Sequence, residues 1–448
     1  MGRGTTYFVE DVDMSTQAGE LNYVLGAGMS GLGAALSLKA PAFEARSKPG
    51  GFCYSIYVDE TGALRNPVSS DVSSCFRFEP AGGHFLFTPR ASVMQLFSHY
   101  ANFKTYERRA VVFFPEQDWI IPFPIQEHLG HLDAKLRNRI LDEITSDKPA
   151  FENSSLTFKQ WLLNYFGPTL CELFFFPFND RYTAGLFEEV APQDAYKSPI
   201  NLDRILAGAR RDIAGNGYNS TFYYPEGGLD KLVRALAAEA DVHYNHCVER
   251  IETEKRNIHF SNGKMLSYRK LVSSIPLHQM LRLCGIDILS RTDPATAVQV
   301  VNIAAEIGPN FPACHWIYLS QSKSGMHRVG FYSQVDLEFL PARSRKGLVS
   351  LYAERSYLAT HQPDDSALES SALAILDELQ DWGFISNPIL LRSNFICPAY
   401  TWSWPGSQWV EEAQEALSAF GVRQIGRYGN WRFQGMADSF EQGWGVKL

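Results

Sequence analysis

The chain is 448 residues long, enough for two or three ordinary domains, with 45% hydrophobic against 20% charged residues, the balance of a globular enzyme and not of a disordered chain. A formal charge of −8 leaves no clustered basic face, which excludes nucleic acid as the expected partner. No apolar run approaches the roughly 20 residues that span a bilayer, and the acidic start with Glu10, Asp11 and Asp13 lacks the basic and apolar stretches of a signal peptide, so no membrane association and a cytoplasmic setting are expected.

Residues 1–20 are polar and irregular. From Leu21 an apolar run to Leu25 meets Gly26-Ala27-Gly28-Met29-Ser30-Gly31, continues into the small-residue stretch Leu32–Leu38, and is followed by Ala42-Phe43 ending on Glu44. This order reads as strand, tight turn, helix, strand. A G-x-G-x-x-G turn in that setting binds a dinucleotide: one glycine makes the turn, one lets the backbone approach a pyrophosphate, and one permits helix–strand packing. Amides at the helix start then face the phosphates, and Glu44 is placed to accept the ribose hydroxyls. It follows Gly31 by 13 residues (44 − 31), fewer than the usual ~20, so the crossover helix is clipped. A second glycine pair in Lys48-Pro49-Gly50-Gly51 lets the chain pass close to the pyrophosphate or the isoalloxazine, with Arg46 beside it; this favours FAD over NAD.

The span 127–215 reads as mainly helical, with apolar residues at helical spacing from Leu132 to Ile144 and Ser155 or Thr157 capping the helix of Trp161 and Phe166. The aromatic run Phe174–Phe178 fills a core or lines an apolar pocket. Asn262-Gly263 marks a hairpin between about 240 and 275. Segments 298–306, 314–320, 327–334 and 347–353 read as strands of a second, antiparallel sheet, and 366–382 and 408–419 as helices. The seven cysteines are scattered without a C-x-x-C pair, as suits free thiols, and no metal-ligand spacing, Ser-His-Asp set or catalytic cysteine is evident. The expected architecture is α/β. A Rossmann-like FAD-binding domain gathers 21–95, 216–295 and 395–448, a helical substrate domain is inserted at 127–215, and an antiparallel substrate sheet occupies 296–394.

The run V-L-G-A-G-M-S-G-L-G-A-A-L … F-E-A-R-S-K-P-G-G resembles the FAD signature of the flavoprotein group that contains amine oxidases, protoporphyrinogen oxidases and UDP-galactopyranose mutases. Further segments are similar to the mutase branch: Gly82–Phe87, Ile121–Gln126, Phe176–Asn179 with Tyr182, Tyr224–Gly228, Trp316-Ile317-Tyr318 with Arg328, and Gly426–Trp431 with Asp438-Ser439-Phe440 and Gly443. The resemblance implies FAD, active in its reduced form, contacted by Gly26, Gly28, Ser30, Gly31, Glu44, Arg46, Gly50, Gly51, Gly83, Val248, Arg427, Asp438 and Ser439. It implies His84, Arg328 and Arg427 as catalytic residues, and a substrate site of Gln126, Phe176, Asn179, Asn201, Trp316, Tyr318, Arg328, Trp404 and Phe433.

The implied reaction is a pyranose–furanose interconversion of a nucleotide sugar, with reduced flavin as nucleophile at the anomeric carbon, no net redox change, and NAD(P)H as external reductant. Three positions depart from the mutase pattern. Phe176 stands for an arginine, and Phe433 and Trp404 stand for tyrosines, which removes one charge and two hydroxyls a diphosphate would use. Arg181, Arg204, Tyr400 and Tyr428 are candidate replacements. An FAD-dependent oxidoreductase of the amine or protoporphyrinogen oxidase type is the alternative, and a catalytically silent flavin- or nucleotide-sugar-binding relative is a third reading. Ala184–Lys197 is the expected lid, and the oligomeric state is left open.

Overall fold

The computed structural model describes residues 21–87, 89–146, 155–193, 200–211 and 219–448. Asn22–Leu25 forms the central strand of a five-stranded sheet whose pairings are all parallel. Ala42–Phe43 and Lys270–Ser273 flank it, and Val242–His243 and Val422–Gln424 form the edges. A strand covered on both faces must be apolar, and Val24 and Leu25 are fully buried. The helix after the turn runs Met29–Leu38, so the expected strand, turn, helix and strand over 21–44 are all present.

Small residues decide how that helix packs. A Cβ added at Gly33 would lie 2.4 Å from the Phe440 carbonyl oxygen, and one at Gly443 would lie 1.9 Å from the Ser30 carbonyl oxygen. The C-terminal helix Met436–Trp444 therefore lies backbone to backbone against the first helix. The chain reaches it from the edge strand Val422–Gln424, so segment 426–439 returns to the mouth of the N-terminal turn.

The second sheet has seven strands in the order Ile385–Thr401, Ala295–Ile307, Leu348–Leu358, Arg328–Phe331, Trp316–Leu319, Ala110–Phe114 and Trp119–Pro122. It is antiparallel at every pairing except Trp316–Leu319 with Ala110–Phe114, which run parallel. It also reaches past the expected 296–394, taking in 110–122 and the end of a 17-residue strand at Thr401. The expected hairpin forms at Asn257–Phe260 and Met265–Ser267, and Val248–Glu252 extends it to three strands.

Helices Ala134–Thr145 and Phe158–Leu170 begin the helical part. Asp133 caps the first, and a Thr157–Gln160 capping box starts the second. Phe174, Phe175 and Phe178 are buried in the largest core cluster. Of the segment expected as a lid, 184–193 is described, with the Ala191 amide donating to the Ser403 carbonyl (2.8 Å); 194–197 lies outside the described residues.

Gly443→Ala should tell how tightly the two helices are matched. Alanine is the better helix former by about 1 kcal/mol, yet its methyl would meet the Ser30 backbone, which cannot swing aside as a side chain can. We expect urea unfolding to report a net loss of ~1–3 kcal/mol; an unchanged or higher midpoint would contradict the packing.

Candidate active site

The turn at 26–31 floors a cavity of about 1280 Å³, open mouth included, lined by Gly26, Gly28, Ser30, Glu44, Gly50, Gly51, Val248 and Ser439 among others. The two glycine runs lie side by side: Gly28 and Gly50 form a parallel bridge, and a Cβ on Gly51 would stand 3.2 Å from the Gly28 Cα. Any larger side chain would fill the floor. The helix starting at Met29 has no side-chain cap and no acidic residue in its first turn, so its leading amides are left for an external anion. Glu44 is buried at the far side, its two oxygens accepting from the Ala27 amide (2.8 Å) and the Arg46 amide (3.0 Å). A carboxylate has about four acceptor sites, so capacity remains for hydroxyl donors. This bare floor, uncapped helix start and fixed acid fit the diphosphate and ribose of FAD.

A second cavity of about 1310 Å³ lies between this unit and the seven-stranded sheet. The two share Phe52, His84, Arg427, Tyr428, Gln434, Gly435 and Met436, so they are continuous at a neck. Most of the second cavity's wall is apolar. Trp316 stacks on Phe85 with centroids 5.6 Å apart, and Phe123 and Tyr318 meet at 4.4 Å.

The charged groups of the wall differ in how they are held. Arg328 pairs with Glu354, and the two stand directly opposite each other on adjacent strands. Burial alone would lower the Arg328 value, but Glu354 and the surrounding Tyr352, Tyr400 and Tyr318 together outweigh it and raise it well above the usual range; Glu354 in turn is held well below the usual carboxylate range, against its own burial, chiefly by Arg328. Arg427 has no such partner. Its Nη2 donates to the Ala399 carbonyl (3.0 Å), it makes no ion pair among the described residues, and its guanidinium is boxed by Tyr400, Tyr428 and Phe433 at 5.0, 5.6 and 4.6 Å. Aromatic faces suit a cation without cancelling its charge. Among the described residues the Nε atoms of Arg427 and Arg328 and the Trp316 Nε1 are buried donors without a protein acceptor.

His84 sits at the neck on the Gly82-Gly83 loop. Its Nδ1 lies 2.9 Å from the Gly82 carbonyl, which only accepts, so Nδ1 carries the hydrogen and Nε2 keeps its lone pair. Glu79 fixes this loop from beneath, accepting from the His84 amide (3.2 Å) and the Tyr224 hydroxyl. Burial pushes Glu79 up to about 7 and His84 down to about 4.

Of the expected substrate residues, Trp316, Tyr318, Arg328 and Phe433 line the second cavity. Gln126, Phe176, Asn179, Asn201 and Trp404 line neither. Gln126 is buried in a short 3₁₀ turn, and Phe176 packs on Phe187. Asn179 donates to the Phe175 carbonyl, and Asn201 caps the helix Leu202–Ala209. Trp404 lies under the Arg291 guanidinium at 3.4 Å. On the cofactor side, Gly83 and Asp438 line the second cavity, while Gly31 packs on the Gly26 carbonyl and Arg46 donates to the Gly51 carbonyl.

Among the candidate replacements, Tyr400 lines the second cavity and Tyr428 lines both. Arg181 donates to the Pro177 carbonyl and Arg204 pairs with Glu127. Sequence reasoning missed Glu354, Tyr352 and Arg108. Alternation along Leu348–Leu358 marks Tyr352 and Glu354 as sharing one face, but only the register shows which face that is.

The model of the flavin containing amine oxidoreductases matches residues 29–396. Among solved structures, reduced UDP-galactopyranose mutase superposes with a TM-score of 0.80 at 20% identity, covering 95% of this chain and 94% of that one. Cyclohexylamine oxidase from Brevibacterium oxydans superposes at 0.60 and 15% identity (94% and 96%). The CLA-producing fatty acid isomerase from P. acnes superposes at 0.59 and 15% identity (95% and 97%). Identities this low establish the shared fold.

The His84 imidazole should stay neutral until the pH falls to about 4, well below its ordinary 6.5. Between those values the unfolded chain binds the additional proton, so the stability His84 contributes declines as the pH drops from 6.5 towards 4. An NMR titration checks this; an imidazole titrating at 6.5 would contradict it.

Proposed function

This chain belongs to the flavin containing amine oxidoreductases, and from that premise we propose that it is an FAD-dependent pyranose–furanose mutase acting on a nucleotide sugar. The observation that carries the reading is Arg427, a cation that makes no ion pair among the described residues, at the neck joining the two cavities. A departing diphosphate needs such a group, because a pre-placed cation stabilises charge as it develops without having to reorganise. An amine substrate would bring donors and positive charge to a cavity whose unsatisfied buried groups include the donors Arg328 Nε, Arg427 Nε and Trp316 Nε1.

Gly26, Gly28, Ser30, Glu44 and Gly51 would hold the FAD, which when bound and reduced supplies the nucleophile for the sugar. This chain's own residues then have three tasks. Arg427, boxed by its three aromatic rings, holds the diphosphate and keeps it close for recapture. Phe85, Trp316, Phe123 and Tyr318 exclude water from a reactive sugar. Neutral His84 offers the Nε2 lone pair to a proton at the neck, while Glu79 keeps its loop in place.

A second reading, net oxidation of an apolar substrate, is favoured by the phenylalanine-rich wall. Anaerobic spectra separate the two. For a mutase, a panel of UDP-, GDP- and dTDP-sugars leaves oxidised flavin coloured, and furanose forms only after dithionite or NAD(P)H reduces it. Bleaching of the flavin by substrate alone would establish the oxidase instead. Arg427→Met should lower kcat/KM by about 10²-fold or more while FAD remains bound, the scale of losing one pre-placed donor. An unchanged kcat/KM removes Arg427 from the mechanism.

A further inference from the structure

The second cavity contains a choice about charge that follows from strand register. Arg328 begins the strand Arg328–Phe331, and its direct partner across the antiparallel pair is Glu354. The carboxylate is 3% exposed on its side chain and the guanidinium 18%, so the pair is formed inside the wall and little screened by solvent. Two charges taken out of water together hold each other, and neither has much field left for a ligand. Arg427 lies in the same cavity against aromatic faces and, although Asp438 also lines that cavity, makes no ion pair among the described residues. Arg108, also on this wall, donates to the Phe123 carbonyl at 3.2 Å.

Resting on the mutase reading above, we propose that Glu354 is a specificity-determining residue that sets the charge of the ligand. It occupies Arg328, so the anionic group is held at Arg427, and a neutral, hydroxyl-bearing part of the ligand lies against the Arg328–Glu354 pair. The pair is well suited to hydroxyls, since a hydroxyl donates and accepts at once. Among the described residues Arg328 offers an Nε without a protein acceptor, and Glu354 an Oε2 without a hydrogen-bond partner, the His327 Nε2 standing 3.4 Å from it. For a nucleotide sugar this puts the diphosphate at the neck and the sugar ring hydroxyls against the pair. A ligand with two separated anionic groups would be rejected, because the second would meet an arginine whose charge is already taken.

Calorimetric titration of the FAD-loaded protein with inorganic pyrophosphate tests this without requiring turnover. Glu354→Gln frees the charge of Arg328 and should tighten pyrophosphate binding by about tenfold or more, with a steeper dependence on salt. Arg427→Met should weaken it by at least a similar factor. Because a buried arginine left unpaired is itself destabilising, the double variant Arg328→Met with Glu354→Leu serves as the second arm. It removes both charges and should leave the pyrophosphate Kd within about threefold of the unaltered protein. The proposal is overturned if Glu354→Gln does not tighten binding, if the double variant weakens it tenfold, or if neither the unaltered protein nor Glu354→Gln binds pyrophosphate. A protein that follows the predicted pattern yet converts no nucleotide sugar would retain the charge assignment and lose the mutase reading.

Discussion

The site depends on one close contact, the first helix against the last. Gly33 and Gly443 let the backbones of Met29–Leu38 and Met436–Trp444 approach to a distance that any Cβ would block. That contact brings residues from the last twenty-odd positions of the chain onto a turn formed near its beginning. Arg427, Tyr428, Met436 and Ser439 line the nucleotide cavity only because of it. Fine adjustments elsewhere in the fold act on a neck that these two glycines have already positioned.

From there the chemistry follows from how each charge is held. A buried ion pair is weak evidence for stability, since desolvation offsets much of its attraction, but it decides which charges remain for a ligand. Arg328 is held by Glu354 through sheet register; Arg427 is held by carbonyl and aromatic faces, which leave its charge in place. The histidine beside it is neutral for the opposite reason: burial and nearby cations disfavour its protonation. Among the described residues the neck thus combines the Arg427 cation with the His84 lone pair, next to a floor that admits only backbone.

Much of this was legible in the sequence wherever local pattern sufficed. The glycine turn, Glu44, the Asn262-Gly263 hairpin and the capped helix at Thr157 each carry their signal within a few residues. His84, Arg328, Arg427, Trp316, Tyr318 and Phe433 were found through resemblance, and each lines a cavity. Resemblance of order was not enough for Phe176, Asn201 and Trp404, because a helix rotation or a loop turn directs a side chain elsewhere without altering its position in the sequence. Glu354 left no local trace at all. Its meaning lies in being opposite a residue 26 positions away, a fact of strand register. The strand Ala110–Phe114 was likewise unread, since its parallel partner Trp316–Leu319 is some two hundred residues distant.

The most direct test of the central claim, that cofactor and substrate spaces meet at the neck, is a crystal structure of the protein saturated with FAD. The account predicts density for the diphosphate on the floor made by the two glycine runs, and for the tricyclic ring between His84 and Arg427. Density placing the ring away from those two side chains, or protein that remains colourless and empty in excess FAD, would contradict it.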